Sequence, residues 1–232
     1  MKVLALELSS ALGSLAWLIT EDRPLVAPIS ASEESHTDVK RQPVSANEDS
    51  ETVREWPNDR KNSGTFFEHL AGSRHKFSLP DTIIVGLGPG SYAGMRTAIS
   101  TAIGLRTASK ARLIGFPSIC AMDCDSNEYC VIGDARRQSF FFARIRANTL
   151  VELPTLFDEA ALKMRLDRVD RSVPIFASED LPQFEKARLA YPSARVLARL
   201  AQNSNRNLIL PPLEPIYLRE PYLTVPKGPT TI

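Results

Sequence analysis

Short apolar runs alternate with polar turns along most of the chain. Two apolar runs, residues 3–8 and 14–19, are separated by the segment SSALG, and this predicts a hairpin of two buried strands. A third apolar run, residues 81–86, leads into a glycine-rich turn, and the pattern after that turn predicts a helix over residues 91–109. The first half of the chain thus predicts a sheet with a helix packed against it.

The second half carries a further set of short elements. Strands are predicted at 112–116, within 128–148 on both sides of the polar turn DARRQ, and at 173–178. Helices are predicted within 64–77, 117–125, 158–167, 178–190 and 193–203. The proline-rich end predicts an extended tail lying on the body. Strands that cluster early and late with helices between them indicate a mixed α/β fold.

A polar stretch interrupts the pattern between residues 31 and 62. This stretch is rich in Ser, Asn, Asp and Glu and has almost no large apolar residues. Such a composition predicts a long loop or a partly ordered insertion.

Composition and charge exclude several classes of protein. With 28 basic and 27 acidic residues, the net charge of +1 gives no general attraction to nucleic acid or to anionic membranes. No apolar run reaches the length of a membrane span. The three cysteines form no CxxC pair and the three histidines no HxxxH pair, so we expect reduced thiols, a cytoplasmic protein and no metal site.

The turn GLGPGSYAG, residues 86–94, allows two interpretations. Glycine-rich turns before a helix can bind phosphate through bare backbone N–H groups. The turn has no GK[ST] sequence and Pro89 follows Gly88, so it is neither a P-loop nor a dinucleotide-binding fingerprint. Anion binding therefore stays an alternative to a purely structural turn.

The helix after the turn has a stripe of small residues. Gly90, Gly94, Ala98 and Ala102 recur at intervals of four, and Met95, Ile99 and Ile103 form an adjacent stripe of large apolar residues, so we expect the helix to be buried on more than one face. Small residues allow another backbone to come close, and glycine inside a helix costs about 1 kcal/mol relative to alanine. The stripe packs either on a helix of the same chain, such as residues 65–71, or on a helix of another chain.

Four segments together resemble the TsaB (YeaZ) family: VLALELSS…GSLAWL, VGLGPGSYAGMR, GDARRQSFFFA and PIYLR. The resemblance implies a two-lobed α/β structure with the ribonuclease H-like, actin-like ATPase fold, in which helices flank mixed sheets. It divides the chain into an N-terminal lobe, residues 1–110, and a smaller C-terminal lobe, residues 111–232, that ends in the extended tail.

The resemblance also implies a function. Proteins of this family act as a non-catalytic scaffold in the complex that installs threonylcarbamoyl on the tRNA adenosine next to the anticodon. They dock a TsaD-like transferase through the helix after the glycine turn and its neighbour, and a TsaE-like ATPase joins them. We therefore expect no catalytic residue, no metal, and no cofactor apart from ATP or ADP in the complex. We further expect tRNA contact only through the complex and a homodimer when the partner is absent. The expected interface residues are Gly90, Gly94, Met95, Ala98, Ile99 and Ala102.

A nucleotide cleft is the second functional hypothesis. In the superfamily two carboxylates flank such a cleft, and their counterparts here are Glu7 and Asp134. The other candidate cleft residues are Ser9, Gly88, Gly90 and Arg136. This arrangement would suit a small nucleotide phosphohydrolase or kinase. However, Glu7 replaces the usual aspartate and Leu87 a basic residue, and Asp134 could simply cap its own turn. A peptidase is a third hypothesis, but the sequence has no zinc or serine apparatus for it.

Overall fold

Two five-stranded sheets with the same strand order form the framework of the chain. The computed structural model describes residues 1–20, 50–58, 63–74, 79–203 and 207–219. The first sheet contains β1 (Lys2–Glu7), β2 (Leu12–Ile19), β3 (Ser50–Pro57), β4 (Thr82–Gly86) and β5 (Arg112–Phe116), in the order β3-β2-β1-β4-β5. The second contains β6 (Glu128–Asp134), β7 (Phe140–Arg146), β8 (Thr149–Phe157), β9 (Ile175–Ala177) and β10 (Ala187–Leu189), in the order β10-β9-β6-β7-β8. In each sheet an antiparallel meander is extended by two parallel strands, so the chain uses one topology twice.

Four helices cover these sheets in the described part of the chain: α1 (Ser63–Arg74), α2 (Tyr92–Ser109), α3 (Glu159–Asp167) and α4 (Ala194–Ala201). Helices α1 and α2 pack on the outer face of the first sheet, α4 lies between the sheets, and α3 covers the outer face of the second. This arrangement confirms the predicted fold class. None of the helices among the described residues is both long and apolar enough to cross a membrane.

Strand β1 shows why the first apolar run is continuous. Leu4 and Leu6 point towards α1 and α2, whereas Val3 and Ala5 point towards α4 and the second sheet. A strand buried on both faces needs apolar residues at successive positions rather than at alternate ones. The predicted hairpin of β1 and β2 is confirmed.

The predicted lobe boundary at residue 110 falls in the wrong place. Strand β5 follows that boundary but pairs with β4 in the first sheet. The two strands are parallel, and α2 is the crossover connection that parallel neighbours require. The boundary therefore separates a β-α-β unit that folds together. The C-terminal helix α4 also packs against β1, β2 and β4 of the first sheet.

Three further predictions of local structure are wrong. Residues 178–190 form turns and the short strand β10 instead of a helix, and Pro182 within them removes a helical hydrogen bond. Residues 117–125 contain only a single 3-10 turn, Ser118–Cys120. Within the predicted polar loop 31–62, the segment Ser50–Pro57 is strand β3, which pairs with β2 along its whole length. Residues 31–49 and 59–62 lie outside the described residues.

The described part of the tail runs along the first sheet. Ile209 exchanges two backbone hydrogen bonds with Gly115 of β5, at 2.8 and 2.9 Å. Farther on, the Ile216 N–H donates to the Leu87 carbonyl at 2.8 Å, and Leu213 between them is buried. The tail therefore crosses the glycine turn at the end of β4.

Candidate functional site

The glycine turn between β4 and α2 is built by contacts inside the chain. Gly88 has a φ of +91°, a backbone conformation that favours glycine. Its N–H donates to Ser118 Oγ at 2.8 Å, and its carbonyl accepts from the Ser118 N–H at 2.8 Å. Helix α2 begins after Ser91, whose hydroxyl accepts from the Gly94 N–H at 3.3 Å as an N-cap. These bonds fix the point at which the chain enters α2.

The first two glycines of the small stripe allow α2 to pack closely against the turn after β1. A Cβ atom on Gly90 would collide with the Ser9 carbonyl oxygen, and one on Gly94 would collide with the Leu8 carbonyl oxygen. The Ser91 N–H donates to the same Ser9 carbonyl at 2.6 Å. The backbone that comes close to these glycines is therefore the chain's own.

The rest of the predicted partner interface also faces inward. Met95, Ala98, Ile99 and Ala102 are buried, with exposed fractions of 1%, 0%, 6% and 0%. Ala98, Ile99 and Ala102 belong to the apolar cluster that α2 forms with the first sheet. These four residues therefore pack inside the chain, whereas Gly90 is exposed and Gly94 half-buried, so contact of the stripe with a partner stays a prediction.

Glu7 is a buried carboxyl at the end of β1. Its side chain lies over Gly86, where a Cβ atom would collide with Glu7 Oε2 and lie 2.6 Å from Ser118 Oγ. Oε1 accepts a hydrogen bond from the Ser9 N–H at 2.7 Å, whereas Oε2 is buried without a well-formed hydrogen bond. Burial raises the pKa of the Glu7 carboxyl, and hydrogen bonding from Ser9 and Ser118 only partly opposes that rise. The side chain fills the space beside the turn and is closed to solvent.

The other two polar candidates, Asp134 and Arg136, belong to the turn after β6. Asp134 accepts from the Arg136 N–H at 2.6 Å and from its guanidinium at 3.0 Å, and the Asp134 N–H donates to Glu179 at 2.7 Å. Arg136 and the two residues after it have φ between 55° and 65°. Asp134 therefore caps its own turn. No hydrogen bond or ion pair joins Glu7 to either of these residues in the described part of the chain.

The nucleotide cleft stays a prediction, and its candidate residues on the first sheet have partners inside the chain. Glu7 and Ser9 are buried at the first sheet, and the N–H and carbonyl of Gly88 both form hydrogen bonds with Ser118. Across residues 1–20, 50–58, 63–74, 79–203 and 207–219, no three His, Cys, Asp or Glu side chains group in a way that could hold a metal ion.

The outer face of α2 corrects the prediction for Ile103, which was expected to lie in a buried apolar stripe. Ser100, Ile103, Gly104 and Thr107 are exposed, and Ile103 has half of its surface in solvent. A Cβ on Gly104 would have nothing within 4 Å. Phe67 on α1, which covers the same face of the first sheet, is also half exposed. The sequence signal for this exposed face is Gly104, a helix glycine outside the inward stripe.

An aromatic cluster borders this face at the start of α2. The rings of Tyr92 and Tyr217 stack with their centroids 5.4 Å apart, which ties the tail to the helix. Arg96 donates to the Tyr92 hydroxyl at 2.5 Å. Burial is the main cause that raises the pKa of Tyr217, and the neighbouring Tyr92 adds to it.

Two solved structures share this fold. One is described as "an uncharacterized protein with similarity to peptidase YEAZ from Pseudomonas aeruginosa"; it is 17% identical, with a TM-score of 0.64, over 94% of this chain and 99% of that one. The other is YeaZ from Pseudomonas aeruginosa, 16% identical with a TM-score of 0.59, over 87% of this chain and 91% of that one. At this identity the likeness shows the fold. A comparison with curated protein sequences found no match.

The sequence itself matches one family model. Residues 65–215, more than half of the chain, match the model described as TsaD: tRNA N6-adenosine threonylcarbamoyltransferase. The matched range runs from α1 through the glycine turn, α2 and the second sheet to the tail, and thus covers the candidate site except for β1 and its turn. The chain belongs to the TsaD family and has the fold of YeaZ, as the resemblance to the TsaB (YeaZ) proteins predicts.

Proposed function

We propose that the chain is a non-catalytic subunit that docks a TsaD-like transferase through the outer face of α2 and the adjoining face of α1. In the assembled complex the transferase carries threonylcarbamoyl to the tRNA adenosine next to the anticodon, and a TsaE-like ATPase joins the pair. The chain meets tRNA only through its partners, and any ATP or ADP is bound in the complex.

The observation that carries this proposal is the outer face of α2. Gly104 is exposed with open space around its Cα, although glycine at that position weakens the helix by about 1 kcal/mol. No contact within the described chain requires glycine at this position. A helix of another protein that packs closely along α2 would require it. Ile103 on α2 and Phe67 on α1, each half exposed, supply apolar surface on the two helices that cover this face of the first sheet.

Burial of Glu7 supports a scaffold over a nucleotide enzyme. A carboxyl with no exposed surface cannot reach a phosphate or its metal ion unless the turn around it rearranges. The same side chain already accepts from the Ser9 N–H and packs on Gly86. The glycine turn thus serves internal packing, which leaves the outer helical face as the surface for function.

Complex formation with the TsaD-family transferase of the same organism tests the proposal. We expect size-exclusion chromatography with light scattering to show a complex of the two chains. Gly104→Gln should stabilise α2, because glutamine is the better helix former, yet abolish the complex by filling the contact surface. Ala160→Gln, on an exposed position of α3, is the matched control and should bind like the wild type. If wild type forms no complex, or if Gly104→Gln binds as tightly as the control, the proposed docking is wrong.

A second measurement addresses catalysis. The chain should stimulate threonylcarbamoyl transfer to tRNA by the transferase, and Glu7→Gln should retain that stimulation when it is folded. Loss of stimulation in Glu7→Gln with unchanged docking would favour the nucleotide enzyme. Without its partner, the chain is expected to pair weakly with itself through the same face.

A further inference from the structure

The solvent side of α2 carries positive charge that no salt bridge in the described chain pairs. Arg96, Arg106 and Lys110 are exposed, and no acidic residue occurs from Tyr92 to Arg112. Arg96 is held by the Tyr92 hydroxyl, and its guanidinium lies 5.2 Å from the centre of the Tyr92 ring. Among the described residues, none of the three cations makes a salt bridge to a carboxylate.

Helices α3 and α4, in contrast, pair their cations with carboxylates. On α3, Lys163 Nζ forms a salt bridge with Glu159 Oε1 at 2.6 Å. On α4, Arg195 and Arg199 lie 3.8 and 2.7 Å from the Glu51 carboxylate. With a net charge of only +1 over the whole chain, the unpaired cations of α2 are a local feature. They share the helix with the half-exposed Ile103. Apolar side chains next to isolated cations suit a protein surface better than a phosphate backbone.

We propose that this cationic face selects an acidic helical surface on the partner and disfavours a second copy of the chain. The proposal rests on the docking through α2 proposed above. A symmetric dimer brings one patch against its own copy, so a dimer built on α2 would place arginine and lysine near arginine and lysine. Like charges across an interface weaken the wrong pairing, and opposite charges steer the right one. Self-pairing through α2 is therefore the weaker state, and the acidic partner displaces it.

Charge reversal tests this selection. The variant Arg106→Glu/Lys110→Glu changes two exposed cations and breaks no side-chain hydrogen bond or salt bridge of the described chain. Arg171→Glu/Arg188→Glu is the control, since it changes the net charge equally on the second-sheet side. Affinity for the transferase is measured by titration calorimetry at about 0.05 M and about 0.5 M NaCl, where screening differs strongly. Self-association is measured by sedimentation at the same two salt concentrations.

We expect the reversal to weaken transferase binding by about tenfold at low salt, because each exposed pair is worth about two- to fivefold and two attractions become repulsions. High salt should remove most of that difference. Wild type mixed with the reversed variant should associate more tightly than either alone. The control should match the wild type throughout.

Two outcomes would overturn the inference while leaving the docking proposal intact. One is a transferase complex whose affinity depends neither on salt nor on the reversal. The other is a reversal that weakens binding to purified tRNA, measured with tRNA alone, and leaves the transferase complex unchanged. Absence of any complex between wild type and transferase would instead refute the proposed function itself.

Discussion

Replacing Glu7 by glutamine should make the protein more stable at neutral pH. The Glu7 carboxyl is completely buried, and burial raises its pKa above the value of about 4.3 that an exposed glutamate has. A group with a raised pKa in the folded state contributes its full stability below the unfolded pKa. That contribution is lost as the pH rises through the folded pKa, since folding then has to bury a charge. Glutamine has the same shape, still accepts from the Ser9 N–H and never ionises.

The magnitude follows from proton linkage. For each pH unit between the unfolded and the folded pKa of Glu7, the wild type loses about 1.4 kcal/mol of unfolding free energy relative to Glu7→Gln. Urea unfolding of both proteins at several pH values between 5 and 8 measures this difference, in which all other titrating groups cancel. Glu55→Gln, on the exposed side of β3, controls for the loss of one carboxylate. Parallel curves for the wild type and Glu7→Gln over that range would refute the reasoning, because they would mean that Glu7 does not resist ionisation.

Three substitutions test the packing of the glycine turn and α2. Gly94→Ala should destabilise the protein despite the better helix propensity of alanine, since its Cβ meets the Leu8 carbonyl oxygen, whereas Gly104→Ala should stabilise it by about 1 kcal/mol. Equal effects of the two alanines in thermal unfolding would contradict the inward orientation of the stripe. Ser118→Ala should cost about 1–3 kcal/mol in urea unfolding, because it leaves the buried Gly88 N–H without its acceptor, and a neutral effect would mean that water replaces the hydroxyl.

Elements with an uninterrupted apolar pattern could be predicted from the sequence. Strands β1, β2 and β4 are buried on both faces, so their residues are apolar at successive positions. Strand β3 could not be predicted in this way, since it lies at the edge of the sheet. Of its eight residues only Trp56 is buried, and Arg54 and Glu55 face solvent. What makes it a strand is its pairing with β2, a contact between distant parts of the chain.

The orientation of α2 shows a similar limit. The spacing of Gly90, Gly94 and Ala98 locates a stripe that needs a close neighbour, and the structure has such a neighbour. The sequence does not say which backbone fills that role, because the Leu8 and Ser9 carbonyls come from a turn that is far away in the chain. Likewise, the sequence contains Glu7 and Asp134 but does not say how far apart the two sheets place them.

Some glycines of this region are required by close contacts within the chain, and one, Gly104, is not. Gly86 makes room for Glu7, and Gly90 and Gly94 make room for the turn after β1. Gly104 lies in the same helix, has no neighbour within 4 Å, and still weakens the helix by about 1 kcal/mol. The positions that first suggest a phosphate site are thus explained by folding, and the position that folding does not explain lies on the outer face. This difference is the physical basis for the proposal that the outer face of α2 contacts another protein.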